Sequence, residues 1–227
     1  MAKKKSTILT KKKNKVEDKI VRMPEKSSNI AFTFYSDDRW NNWITQVKES
    51  GFEFKDDEED IGNGGEVFVN MEDDVILACL KVIAKYNNKE LGSEEAFDAI
   101  SEIKEVVLKP VDSINESIDL MLDSLQTSLI GVFASGECYI DGGYESTDDL
   151  STLVKNAVAA EETNDPGIAI GYVAVIGAHV FNGAELGEDL FNDLPYGLVA
   201  EWMDGIDSIS AAMMGDDSYK NDDADSE

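Results

Sequence analysis

Residues 167–181 read GIAIGYVAVIGAHVF, and no formal charge falls among them with His179 neutral. The same chain carries 47 acidic and 20 basic residues, a net charge of -27. A segment kept so bare in so acidic a chain has to be buried against something, and its length decides against what. Fifteen helical residues rise only about 22 Å, short of the ~30 Å hydrocarbon core of a bilayer. A helix apolar on every side, in a chain without a membrane span, is the centre of a bundle. Asp165 stands at the capping position and Pro166 at the first helical position, both suited to a helix start. Gly167 and Gly171 lie one turn apart and Gly177 lies further along. Without side chains there, neighbouring helices can approach closely, at about 1 kcal/mol of helix propensity per glycine. The expectation is a mostly α, single-domain helical bundle around this central glycine-containing helix.

Other segments supply its neighbours. Ser36 can cap a helix with Asp37 and Asp38 in the first turn and Trp40, Trp43, Ile44 and Val47 on one face, stopped by Gly51. Asn70 is a candidate cap for a deeply buried helix over 71–86, whose apolar set runs from Val75 to Tyr86. Ser93 can cap a helix that Pro110 stops. Ser113 and Glu116 have capping-box spacing ahead of a long leucine-rich helix that ends at Gly142 and Gly143. Thr147 can cap the next, and a last helix follows Pro195 and closes at Gly215. Phe52 and Phe54 alternate, as do Val67 and Val69, across an acidic glycine-rich connection. That pattern predicts one small β-hairpin near residues 52–69.

Charge divides the chain. Residues 1–26 hold ten Lys/Arg against three Asp/Glu, and residues 215–227 hold six acidic residues against Lys220. The organisation read from this is a disordered basic tail over 1–29, a helical domain over 30–214 and a disordered acidic tail over 215–227. Arg39 is the only arginine after the basic tail. Cys79 and Cys138 are the only cysteines, and both fall inside apolar helical patterns. Two buried thiols fit a reducing cytoplasm. The lysine-rich start has no apolar signal core, and no run is long enough to span a membrane.

Three stretches, NMEDDVILACLKVIAKY, DLMLDSLQTSLIGVFASGECYI and LPYGLVAEWMDGIDSISAAM, together resemble an archaeal family of uncharacterised proteins, domain of unknown function 2150. The resemblance runs from about Ala31 to Gly215. It implies an archaeal, cytoplasmic protein and assigns no catalytic or binding residue.

Candidate chemistry is sparse. His179 is the only histidine, so a thiol partnership with Cys138 or Cys79 would have to use it. A pocket beside the 167–181 helix could gather Cys138, Tyr172 and His179. A lone histidine on an apolar helix is more often a packed core residue. No CxxC, HxxxH or ExxH spacing calls for a metal, and none is assigned; no cofactor is implied either. The loop from Asp56 to Gly65 fails the calcium template, with Ile61 where glycine is required and Val67 where glutamate is required. Glu116, Asp119, Asp123 and Gln126 follow helical spacing and read as a solvated face. GNGGE lacks the lysine of a phosphate loop. Lys3, Lys4, Lys5, Lys11, Lys12, Lys13 and Lys15 form the one positive patch. It suits non-specific polyanion contact without base stacking, because no aromatics interleave.

The leading reading is a non-catalytic module for protein interaction or regulation, with an unknown protein partner and no membrane. The alternatives are a small-molecule binder or enzyme using the pocket beside residues 167–181, and an RNA- or ribosome-associated factor acting through the basic tail. One consequence concerns stability alone. Screening of the acidic body's self-repulsion should raise the melting temperature as chloride increases from low to moderate concentration. Thermal melts across a chloride series check this, and a flat or falling midpoint removes self-repulsion as a factor.

Overall fold

The structure, a computed structural model, describes residues 32–54, 64–146, 148–192 and 194–215. Within them lie seven α-helices: α1 (Asp37–Ser50), α2 (Glu66–Asn87), α3 (Ser93–Val107), α4 (Glu116–Asp141), α5 (Leu150–Glu162), α6 (Pro166–Phe181) and α7 (Leu198–Met214). A short 3-10 turn, Glu188–Leu190, lies between α6 and α7. The expected helical class is correct. The tails expected over 1–29 and 215–227 lie almost wholly outside the described residues, as does the loop over 55–63.

Local chemistry explains where helices begin and end. The Arg39 N–H donates to Ser36 Oγ at 3.3 Å, and Gly51 ends α1 in the left-handed conformation. Asp165 accepts from the Ile168 N–H at 3.1 Å, with Pro166 opening α6. Elsewhere the caps differ from the expectation. Gly92, not Ser93, precedes α3, and its N–H donates to Glu95 at 2.9 Å. Asn115, not Ser113, caps α4 by accepting from the Ile118 N–H at 2.8 Å. Asp149 caps α5 through the Thr152 N–H at 2.7 Å, and Thr147 lies outside the described residues.

The β-hairpin is not formed: no strand occurs among the described residues, and Val67 and Val69 belong to α2. Asn70 is an exposed residue within that helix rather than its cap. Phe68, Met71 and Val75, all buried, extend the helical stripe backwards through the apparent alternation. Phe52 and Phe54 do alternate, buried against exposed. Their backbone partners are side chains at the start of α4. The Phe54 N–H donates to Ser117 Oγ at 3.1 Å and Asn115 Nδ2 donates to the Phe52 carbonyl at 3.3 Å. The Phe52 ring meets Phe68 edge-on at 5.3 Å.

α6 packs on α4, α5 and α7, through Ala169, Val173, Ile176, Gly177 and Val180. It is not enclosed on every side. Gly171 is exposed with open space where a side chain would go, and Ile168 is half exposed. The glycines that bring helices together are different ones. A Cβ added at Gly131 of α4 would lie 2.8 Å from the Trp202 carbonyl oxygen. One added at Gly205 of α7 would lie 2.6 Å from the Ser128 carbonyl oxygen. The crossing of α4 and α7 thus rests on two reciprocal glycines. Gly177 is equally confined, against Ser135 and Ile206.

One carboxylate fixes α1 to α2. Asp74 accepts from Tyr35 Oη at 3.1 Å, Trp43 Nε1 at 2.7 Å, Arg39 Nε at 2.8 Å and the Arg39 terminal nitrogen. Burial and the neighbouring Asp74 push the Tyr35 phenol well above its ordinary range.

The close crossing predicts a contrast between two glycines. Gly205→Ala should destabilise the fold by about 1–3 kcal/mol, because backbone has to move. Gly171→Ala should be neutral or stabilise by up to ~1 kcal/mol through lower unfolded-state entropy. Chemical denaturation midpoints of the two variants check it, and equal effects would remove the crossing's special status.

Candidate functional site

Lys3, Lys4, Lys5, Lys11, Lys12, Lys13 and Lys15 lie outside the described residues. The other candidates are placed. Cys138 is half-buried on α4, and Tyr172 and His179 are half-buried on α6. Tyr172 and His179 lie seven residues apart, about 10 Å along the helix. Cys79 is buried in the core on α2. Among the described residues no hydrogen bond joins either thiol to His179.

His179 belongs instead to an aromatic cluster. Its ring meets Tyr144 edge-on at 5.5 Å. Tyr144 stacks on Tyr139 at 5.5 Å, and Tyr139 leans on Phe181 at 6.0 Å and Tyr86 at 6.3 Å. Tyr139 Oη donates to Asn87 Oδ1 at 2.9 Å and Tyr86 Oη to the Ile140 carbonyl at 3.3 Å. Burial pushes the Tyr144 phenol up, with smaller contributions from Tyr139, Glu145, Tyr86 and Cys138. Both thiols are also pushed up, Cys79 by burial and Cys138 by burial and then Asp141. Nucleophilic and metal-binding chemistry uses the thiolate, so these environments oppose it. The described residues contain no group of three or more His, Cys, Asp or Glu side chains placed to hold a metal ion.

A second group sits where α2, α4 and α7 meet. Ser128 Oγ, buried at the glycine crossing, donates to the Glu72 carboxylate. Burial holds the Glu72 carboxyl above its ordinary value; the Ser128 bond opposes this, and Asp204 and Asp73 add to it. Asp204 is raised by burial and by Asp207. Glu201 is raised by burial, against a hydrogen bond from Thr127, with Asp204 and Glu161 adding repulsion.

A groove of about 420 Å³ runs between α5 and the connection that leads into α7. Val154, Val158, Leu190, Leu194 and Pro195 supply apolar wall, and Lys155, Glu162 and Asp189 supply charge. Just beyond it Tyr196 is 95% exposed. The backbone that presents Tyr196 is pinned. The Leu198 and Val199 N–H groups donate to the Glu161 carboxylate at 2.6 and 3.3 Å. That carboxylate also lies against Gly197, where a Cβ would come within 2.7 Å of it. Sequence reasoning missed this surface. The available signal was LFNDLPYGL, an apolar and aromatic run in a stretch that cannot continue a helix past Pro195.

The raised Glu72 carboxyl carries a sign. A folded-state pKa above the unfolded one contributes stability that is complete below the ordinary value near 4.5 and is lost as pH rises through the folded value. Glu72→Gln keeps an acceptor for Ser128 and cannot ionise. Its denaturation midpoint should exceed that of the parent at about pH 7, and the two should converge below about pH 4. A variant no more stable than the parent at neutral pH would show that the carboxylate charge is favoured there.

A family model described as an uncharacterised protein conserved in archaea matches residues 33–222. No curated protein and no solved structure matches the chain. The match extends from before α1 to beyond α7, so it covers every helix described above. The chain belongs to the DUF2150 family of uncharacterised proteins conserved in archaea.

Proposed function

We propose that this chain is a non-catalytic, cytoplasmic protein-interaction module that holds an extended apolar segment of a partner protein in the α5 groove. The carrying observation is Tyr196, an aromatic side chain 95% exposed on backbone fixed by Glu161. Large exposed aromatics on rigid backbone are the residues that dominate protein interfaces, because they bury much area at little entropic cost. The groove beside it has room for two or three side chains and an apolar wall. Glu162 and Asp189 on its rim favour a cation next to the partner's apolar residues. Two free thiols support a reducing compartment. No helix among the described residues is long and apolar enough to cross a membrane.

A photo-crosslinking amino acid at position 196, introduced in the native host, tests the reading. The expected product is a covalent adduct with a discrete partner, absent when the same amino acid replaces the exposed Val69 on α2. The partner is then purified and titrated. Tyr196→Ala should weaken its binding by about tenfold or more, as truncating an interface aromatic costs ~2 kcal/mol. Equal affinity of the variant and the parent would refute the assignment of this surface.

A further inference from the structure

A second groove, of about 330 Å³, opens where three helices end. Ala84, Asn87 and Asn88 belong to the end of α2, Phe181 and Asn182 to the end of α6, and Met213 to the end of α7. None of the residues lining it bears a formal charge. Its polar character comes from asparagine amides and from three helix C-termini, which carry partial negative charge and favour cations. The matching occupant is a segment that combines apolar residues with lysine or arginine.

The first described residues lie against the end of α2 that helps form the groove. Tyr35, Arg39 and Trp43 contact α2 at Asp74. Further back, the Phe32 ring lies 4.6 Å from Lys85 Nζ, on the last turn of α2. Traced towards its start, the chain therefore climbs α2 towards the end that forms the groove. Thirty-one residues precede Phe32, and they include ten Lys/Arg and three Asp/Glu. Lys19, Ile20, Val21, Arg22 and Met23 place an apolar pair between two cations, with a third apolar residue after them. Eight residues lie between Met23 and Phe32, and the nine steps can span up to roughly 30 Å. The acidic end of the chain departs from the same place. Met213 lines the groove, and six Asp/Glu follow Gly215.

We propose that this groove is the docking site of the chain's own N-terminal basic segment, with Lys19–Met23 as the element that binds. The apolar side chains of that segment cover the floor, and its cations meet the helix ends and the acidic residues that follow α7. Docking withdraws the basic segment from polyanions, so the segment acts as an internal ligand of the body.

The test uses the full chain with a photo-crosslinking amino acid in place of Val21. Intrachain crosslinks are expected on peptides carrying residues 80–88, 181–183 or 213. Asn88→Arg places a cation at the groove rim and at a helix C-terminus, where the fold tolerates one. It should cut the crosslink yield roughly fivefold without lowering the melting midpoint. Arg22→Glu, outside the described helices, should cause a similar loss. Mixing isotope-labelled and unlabelled chains separates crosslinks within one chain from those between copies. Crosslinks to a second copy, to other parts of the body, or only to added RNA overturn the proposal. An unchanged yield in both charge variants overturns it as well.

Discussion

The crossing of α4 and α7 sets the spacing on which the rest of the molecule depends. Gly131 receives the backbone of Trp202, and Gly205 receives the backbone of Ser128. Two helices held at backbone contact leave no room for side chains between them, so the neighbouring positions have to carry the core. Trp202, buried next to the contact, closes the crossing on one side. Its indole N–H has no acceptor among the described residues, a penalty of about 1–3 kcal/mol that the packing of a large ring offsets. On the other side Ser135 donates to the Gly131 carbonyl at 2.7 Å and lies against Gly177, which seats α6 on α4. Ser128 in turn reaches Glu72 and ties α2 to the same point. A change in this spacing would therefore be felt by four helices.

The acidic excess is not only a solvent coat. Several carboxylates replace missing backbone or side-chain partners. Asp74 gathers four donors from Tyr35, Arg39 and Trp43. Glu161, at the end of α5, satisfies two N–H groups at the start of α7, which has no side-chain cap of its own. Asp119 accepts from Ile114 N and Ser113 Oγ ahead of α4. The bonds from Ile114 and Ser113 hold the Asp119 carboxyl below its ordinary value, because a carboxylate accepts more strongly when charged. The carboxylates around Glu72 are the opposite case. There burial and like charge outweigh a single serine donor, so ionisation works against the fold.

One thiol and the imidazole take part in the packing. Cys79 fills the core of α2, and His179 presents its ring edge to Tyr144. Two of the features with room for another molecule are grooves at helix ends and connections, one beside Tyr196 and one beside Asn88. Both are places where the helical pattern stops, so periodicity carries no information about them. Recognition of a partner through such surfaces needs shape and a few exposed anchors, not a fixed constellation of catalytic residues.

The helical class and the positions of α1, α4, α6 and α7 were legible in the sequence. Each follows from local chemistry: apolar residues at helical spacing, Ser36 and Asp165 as caps, Gly51 and Gly142 as stops. The hairpin failed because four residues of alternation, Glu66 to Val69, also fit a helical stripe, and the deciding partner, Phe52, lies beyond a long connection. Gly171 and Gly205 look alike in the sequence, since each is a glycine inside a helical pattern. Only packing distinguishes them: one faces open space, and the other faces a backbone carbonyl at a distance no side chain could share. Sequence by itself determined which segments are helices and which faces are apolar, because those depend on residues three and four apart. Tertiary structure alone decided which faces meet, which glycines are indispensable and where grooves remain, because those depend on residues far apart along the chain competing for the same space.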